Sequence, residues 1–210
     1  MLYNSGAGDG IVRFSGNSGV TLSTMKLAIG GSGSASYRTI AKLSGLTINA
    51  DTITNWRSSA IIGSDSILLG TATINTSTIN WIAPNIYLDA GASTVNFTGT
   101  GASTLTSAGK SFNRINVRKG NKARFTLADS LQASTVVVDS GTFACNAKNI
   151  RVNSIMFDGA DSVLCRTSST NLVLKDTATA GMIKFQDSCV YLVDSMNIVC
   201  YGSDTVHISG

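Results

Sequence analysis

The chain has 210 residues, of which 43% are hydrophobic and 13% charged, and a net charge of +4. All twelve acidic residues are Asp, so the straight-chain residues that cover exposed helix faces are scarce, which excludes a mainly helical protein. The hydrophobic content excludes a disordered chain, and the modest charge, without an aromatic-rich basic segment, does not predict nucleic-acid binding.

Residues 1–45 are rich in Gly and Ser and contain two alternating runs, residues 11–14 and 20–29. Between Ser36 and Leu43, the spacing of Tyr37, Ile40 and Ala41 predicts a small capping helix, with Ser36 as its N-cap. We therefore predict an N-terminal attachment or capping segment over residues 1–45. The start has neither the basic nor the apolar region of a signal peptide, so we expect synthesis in the cytoplasm.

From residue 46 onward, short apolar or alternating runs follow one another, each ended by Gly, Asn, Asp or Ser. They are rich in Val, Ile, Leu, Phe and Thr, which is typical of an all-β protein with many short strands. None approaches the length of a membrane-spanning helix, so we expect no membrane insertion. The runs include residues 46–48, 66–69, 85–88, 94–97, 114–117, 124–127, 135–138, 154–157, 162–165, 171–174, 189–193, 197–200 and 205–208.

The turn chemistry favours a solenoid over a hairpin-based sandwich or barrel. Only two Asp-Gly pairs and no Asn-Gly occur, although these pairs mark tight hairpins. Nine of the twelve Asp residues instead precede Ser or Thr, where an Asp side chain can accept a bond from a nearby backbone N–H and form a corner. We predict a parallel β-solenoid (β-helix) over residues 46–210, with turn-forming Asp129, Asp139, Asp161, Asp187, Asp194 and Asp204.

The coil length follows from the strongest runs, whose centres at Val117, Val137, Met156 and Val173 are about seventeen to twenty residues apart. Two or three strands in each coil would then give coils of roughly twenty residues. The last run stops with the chain and would leave an open edge, so we expect a homo-oligomer, with a trimer as one candidate.

Four cysteines accompany a single His, and no CxxC pair occurs, so we predict no metal site and no cofactor. Each Cys lies in or beside an apolar run, which favours reduced core thiols over disulfides. The spacing of Cys145, Cys165 and Cys189 is close to the coil length and suggests an interior ladder as an alternative.

Six basic residues fall within fifteen positions that contain no acid, namely Lys110, Arg114, Arg118, Lys119, Lys122 and Arg124. This basic cluster could bind anionic glycans, lipopolysaccharide phosphates or an acidic neighbouring subunit. The competing interpretation, which we weigh more heavily, is a solvated loop whose charges prevent aggregation between sheet edges.

Enzymatic chemistry has weaker support. The closest carboxylate pairs are Asp158 with Asp161 and Asp187 with Asp194, and glycoside hydrolysis requires such pairs. We interpret them as turn residues like the other Asp corners. His207 lies three residues from the end, where a catalytic base would be poorly enclosed. We therefore predict no catalytic residues.

Residues 95–117 (VNFTGTGASTLTSAGKSFNRINV) resemble a motif of phage and bacterial β-solenoid surface proteins, F-x-G-x-G-x-x-T-L followed by G-K-x-F-x-x-I-x-V. The resemblance implies a structural component of a bacteriophage virion, such as a tail fibre, spike or appendage, assembled in the host cytoplasm. Other virion proteins would be its partners, with a host-surface glycan as a further one for host attachment. The alternatives are a polysaccharide-cleaving β-helix enzyme and an extracellular bacterial surface adhesin.

Overall fold

The computed structural model describes residues 2–4, 10–13, 20–31, 39–55, 66–81, 86–158, 160, 162–165, 170–174, 182–184, 190–193, 196–200 and 207–209. Within these ranges every regular element is a β-strand, so the predicted all-β class is confirmed. The strands are Leu2–Asn4 (β1), Gly10–Arg13 (β2), Thr21–Gly31 (β3), Thr39–Lys42 (β4), Thr47–Asn55 (β5), Ser66–Leu68 (β6), Thr73–Asn80 (β7), Tyr87–Asp89 (β8), Thr94–Phe97 (β9), Ser103–Thr106 (β10), Ser111–Arg118 (β11), Arg124–Leu127 (β12), Leu131–Ser140 (β13), Thr142–Ala144 (β14), Ile150–Val152 (β15), Ser154–Phe157 (β16), Ser162–Cys165 (β17), Thr170–Leu174 (β18), Met182–Lys184 (β19), Val190–Val193 (β20), Met196–Cys200 (β21) and His207–Ser209 (β22).

The strands pair in parallel. We call the sequence distance between paired residues of neighbouring strands one step. Between β5 and β16, side chains bonded between adjacent strands are 26, 21, 20 and 19 residues apart. The longest row of paired strands is β3, β5, β7, β9, β11, β13, β16, β19 and β22. The predicted period of about twenty therefore fits the middle of the chain, whereas the first and the last described steps are longer.

The sheet divides at β7. Residues 73–76 of this strand pair with β9, whereas residues 78–80 pair with β10. The second half belongs to another row, which runs from β1 through the later parts of β3 and β5 and continues through β10, β12, β14, β17 and β20. A separate four-stranded parallel sheet contains β2, β4, β6 and β8. The sheet therefore bends beside Ser77, the residue between the two paired segments.

The core consists of apolar side chains that repeat at equivalent register positions. Ile48, Ile74, Val95, Ile115 and Val136 are successive register partners and are all buried. Burying such branched side chains on the inner face contributes about 1.5–3 kcal/mol each.

A second apolar row is aromatic. The ring centroids of Phe97 and Phe125 are 4.5 Å apart, those of Phe125 and Phe143 5.6 Å, and those of Phe143 and Phe157 5.9 Å. Tilted and edge-on aromatic pairs at these distances add about 0.5–1.5 kcal/mol beyond burial. We call these four rings the phenylalanine row.

The predicted capping helix is wrong where the structure describes it, because Thr39–Lys42 forms β4. Ala41 and Leu43 are buried, while Ile40 and Lys42 are partly exposed, which is the period of a strand. Backbone bonds to β2 and β6 override the weak helical spacing. Residues 32–38, including Ser36 and Tyr37, lie outside the described ranges.

Pairing continues across the predicted division between residues 45 and 46, since β3 pairs with β5 over eight residue pairs, from Thr21 with Thr47 to Ile29 with Asn55. The Gly-rich stretches at residues 5–9, 14–19 and 32–38 are not among the described residues. The division into an attachment segment and a solenoid stays a prediction.

The cysteines differ from expectation. Cys145 is buried and disulfide-bonded, so the prediction of a reduced thiol is wrong for this residue. The pairing of Ala144 with Leu164 brings the backbones of Cys145 and Cys165 to the next register position. The predicted three-cysteine ladder is also wrong, because the register partner of Cys165 on β20 is Val193. Cys189 lies outside the described residues.

Candidate functional site

The basic cluster does not form one patch, because its members differ in burial and in partners. Lys119 is only 1% exposed, and its Nζ donates a hydrogen bond to the carbonyl oxygen of Thr98. Desolvation lowers the pKa of this ammonium. Lys119 therefore joins two neighbouring steps of the chain and does not present its charge to a ligand.

Two arginines of the cluster are held by neighbouring side chains. Arg118 is half exposed and its Nε lies 2.6 Å from Oδ2 of Asp139 in an ion pair. Arg114 is partly buried, and its Nε donates to Oδ1 of Asn116 at 3.0 Å. The first contact joins β11 to β13, and the second lies within β11.

The remaining members lie in or next to turns. Lys110 is partly buried, and desolvation lowers its pKa. Lys122 lies in a turn with a positive φ of 56°, and Arg124 begins β12; both side chains are exposed. Within the basic cluster, the residues with exposed side chains are Arg118, Lys122 and Arg124, a set that we call the basic rim.

Asp129 accepts hydrogen bonds from the backbone of a turn that lies about one step earlier in the chain. Its two carboxylate oxygens accept bonds from the backbone N–H groups of Ser107 and Ala108, at 2.7 and 2.6 Å. Ser107 returns a bond from its Oγ to the carbonyl of Ser130. The bond that we predicted within one Asp corner thus runs between two chain segments about one step apart. The local form occurs at Asp89, whose Oδ1 accepts from the N–H of Gly91 at 3.0 Å.

The other predicted turn residues divide into two groups. Asp139 is the penultimate residue of β13, and its carboxylate is paired with Arg118. Four more lie outside the described residues, namely Asp161, Asp187, Asp194 and Asp204. Asp158 is exposed. The backbone of His207 begins β22, the last described strand.

A polar groove of about 540 Å³ lies along the bend of the sheet. It is lined by three consecutive residues from each of β3, β5 and β7 (23–25, 49–51 and 75–77) and by Thr98. Threonine hydroxyls stabilise the bend, since Oγ1 of Thr76 donates to the carbonyl oxygens of Asp51 and Thr78 at 3.3 and 3.1 Å.

Asparagine side chains form a continuous hydrogen-bonded row along this groove and beyond it. The amide nitrogen Nδ2 of each residue donates to Oδ1 of the preceding one, over 2.7 Å from Asn75 to Asn49, 2.8 Å from Asn96 to Asn75 and 2.8 Å from Asn116 to Asn96. We call these four residues the asparagine row. Burial increases along it, because Asn49 and Asn75 are partly exposed in the groove while Asn96 and Asn116 are buried.

The groove offers hydrogen bonds with little charge. Asp51 is the single acidic residue among those that line it, so the groove does not contain the carboxylate pair that glycoside hydrolysis requires. Across the described residues, no group of three or more His, Cys, Asp or Glu side chains is arranged to hold a metal ion. The same part of the chain contains no helix that is long and apolar enough to cross a membrane.

The asparagine row was missed from sequence, although a signal for it exists. The tripeptide Thr-Ile-Asn occurs at residues 47–49 and 73–75, Thr-Val-Asn occurs at 94–96, and Arg-Ile-Asn occurs at 114–116. These tripeptides are exact register partners in β5, β7, β9 and β11. A search for a short motif at steps of 20 to 26 residues would have found them.

Comparison with known proteins does not place the chain in a family: no family model, no curated protein and no solved structure matches it.

Proposed function

We propose that this chain is a parallel β-solenoid that serves as a structural component of a bacteriophage particle, in a fibre, spike or appendage, and contributes to host-surface attachment. The observation that carries the proposal is the in-register parallel row from β3 to β22. Parallel strands that repeat at steps of about 20 to 26 residues are typical of a chain that winds in coils.

A wound chain of this kind suits a mechanical role. Backbone bonds join each described strand of this row to the next, and the asparagine row and the phenylalanine row add side-chain contacts in the middle of the chain. At about 4.8 Å for each step, the nine strands of the longest row would form a rod about 40 Å long. Resistance to shear would then come from many small, repeated contacts.

Assembly with other chains is the second part of the proposal. Among the described strands, β22 pairs with β19 alone, and a strand edge without a partner pairs readily with another chain. The proposed partners are further copies of this chain or other virion proteins, and the proposed location is the virion.

The winding of the chain is tested with the purified protein by nuclear magnetic resonance, because Thr47, Thr73 and Thr94 are register partners one step apart. We expect cross-strand contacts between the backbones of these residues, and their absence in a folded chain would contradict the solenoid. Light scattering tests assembly, because a monodisperse monomer at all concentrations would contradict homo-oligomerisation.

The location is tested by antibody labelling of purified phage particles and of cells of the source organism. Labelling of a virion appendage supports the proposal. Labelling of the cell surface alone would favour the adhesin, and release of reducing sugar from polysaccharide would favour the enzyme.

A further inference from the structure

We infer that the polar groove along β3, β5 and β7 binds a neutral oligosaccharide, with the exposed part of the asparagine row as its recognition element. The inference deepens the proposed function, on which it rests, by assigning a ligand class and a site for attachment. This site differs from the basic rim, for which the sequence suggested an anionic glycan.

The hydrogen-bonding capacity of the groove favours a ligand with many hydroxyl groups. A carboxamide has two N–H donors and two acceptor positions. The bond between Asn75 and Asn49 uses one donor of Asn75 and one acceptor position of Asn49. Both side chains remain partly exposed in the groove, so further capacity faces the ligand space. Sugar hydroxyls both donate and accept, and they match an amide in both roles.

The repeat of the groove favours an extended ligand. Asn49 and Asn75 are register partners on adjacent parallel strands, and Ser23 occupies the same position on β3. Equivalent polar groups therefore recur about every 4.8 Å across the strands. A chain of sugar units lying across the three strands would meet the same set of groups at each step.

The charge of the groove favours a neutral ligand. Asp51 lines it and is exposed, so a negatively charged sugar would meet repulsion there. The ammonium of Lys119 donates to the carbonyl oxygen of Thr98, a lining residue, but Lys119 is buried and is not itself in the lining. The exposed cations of the basic rim are not among the lining residues.

One wall of the groove has an apolar surface. Met25 is 81% exposed, the largest exposure among the large hydrophobic side chains of the described residues, and it lines the groove. An exposed flexible thioether is suited to contact with the C–H face of a sugar ring. The polar row and the apolar wall together match the two kinds of surface that a sugar presents.

The test uses the full chain on an array of neutral and anionic oligosaccharides, followed by calorimetry with a neutral oligosaccharide that binds. We expect Ser77→Tyr, which fills the groove beside the asparagine row, to weaken binding at least about tenfold. The matched control is Ser111→Tyr, because Ser111 is exposed on β11 and does not line the groove. It should bind as the unmodified chain does.

A second variant guards against misfolding of the first. Met25→Ala changes an exposed side chain, and we expect about threefold weaker binding with an unchanged melting temperature. Binding of anionic sugars alone, unchanged binding by a folded Ser77→Tyr, or no binding of any neutral sugar would overturn the inference. Cross-strand contacts one step apart with no sugar binding would leave the structural role standing, whereas their absence would contradict the proposed function itself.

Discussion

Gly141 occupies a position where a side chain does not fit. Its φ is +91°, and a Cβ there would lie 2.5 Å from Cβ of Lys119 and 2.8 Å from the carbonyl oxygen of Ala123. Both the backbone conformation and the close approach disfavour any residue other than glycine.

We expect Gly141→Ala to lower the free energy of unfolding by about 1–3 kcal/mol, because strain is added at a left-handed position next to a buried side chain. Urea unfolding followed by circular dichroism measures the change. Gly101→Ala is the control, since nothing lies within 4 Å of that position, and its effect should stay within about 0.5 kcal/mol. Equal effects of the two variants would contradict the argument.

Lys119 is a buried lysine whose pKa is lowered by desolvation below its ordinary value of 10.5. Between the folded and the unfolded pKa, the unfolded chain binds the proton more tightly, so stability contributed by this group rises with pH. We expect the original chain to gain stability relative to Lys119→Met as the pH rises toward 10.5. The measurement is urea unfolding of both proteins over alkaline pH. Lys122→Met, at an exposed turn, controls for the loss of one positive charge, and a difference that does not change with pH would refute the expectation.

At the scale of elements, the phenylalanine row links strands that are distant in sequence. Phe125 is fully buried between Phe97 and Phe143. We expect Phe125→Ala to cost about 3–5 kcal/mol, because it leaves a cavity and removes two ring contacts. Thermal unfolding would show this as a large drop in melting temperature. Tyr87→Ala on β8, where the ring is 57% exposed, should change stability little, and a comparable loss there would show that burial does not decide the effect.

Strands with alternating branched residues were predictable from sequence to the residue. Thr94–Phe97, Arg124–Leu127 and Ser154–Phe157 match their predicted bounds. In β12 and β16, buried and less buried positions alternate, and in β9 three buried positions follow a partly exposed one. Turn residues bound each of the three strands on both sides. The local sequence is enough to predict such strands, because the hydrophobic period and the flanking turn residues indicate the same bounds.

Polar strands were predicted poorly. β5 was recognised only in residues 46–48, and β7 was not recognised, because asparagine usually indicates a turn. Asn49 and Asn75 tolerate a strand since each amide is bonded to an equivalent amide on the next strand. That partner is about one step away in sequence, so no local window contains it.

The basic cluster shows the same limitation for the candidate site. Its six residues are close in sequence and carry the same charge, which predicts one patch. The end of β11 and the following turn instead bury Lys119 and leave Lys122 exposed. The groove could not be predicted either, because its walls come from three strands that only the register brings together.

At the scale of the whole molecule, the register between strands means that one whole step of the chain can be deleted as a unit. Thr73 and Thr94 are register partners, so deletion of residues 73–93 would join Ala72 to Thr94 and keep every later strand in phase. We expect this deletion to give a folded, cooperatively unfolding protein with a rod shorter by about 4.8 Å.

Circular dichroism and limited proteolysis measure the result. Deletion of residues 73–82 is the control, since it removes part of a step and shifts the later strands against their partners. We expect that protein to be unfolded or degraded. Equal behaviour of the two deletions would contradict a fold built from repeated steps.

The asparagine row also gives the molecule a direction. Every amide in it points its N–H toward the strand that comes earlier in the chain, so four side-chain dipoles are aligned along the line of strands. The oxygen end of the row lies at Asn116, where the guanidinium of Arg114 meets it. A cation at the negative end of aligned dipoles is the arrangement found at the C-terminus of a helix. The row therefore has two chemically different ends, one partly exposed in the groove at Asn49 and one buried at Asn116 and closed by a cation.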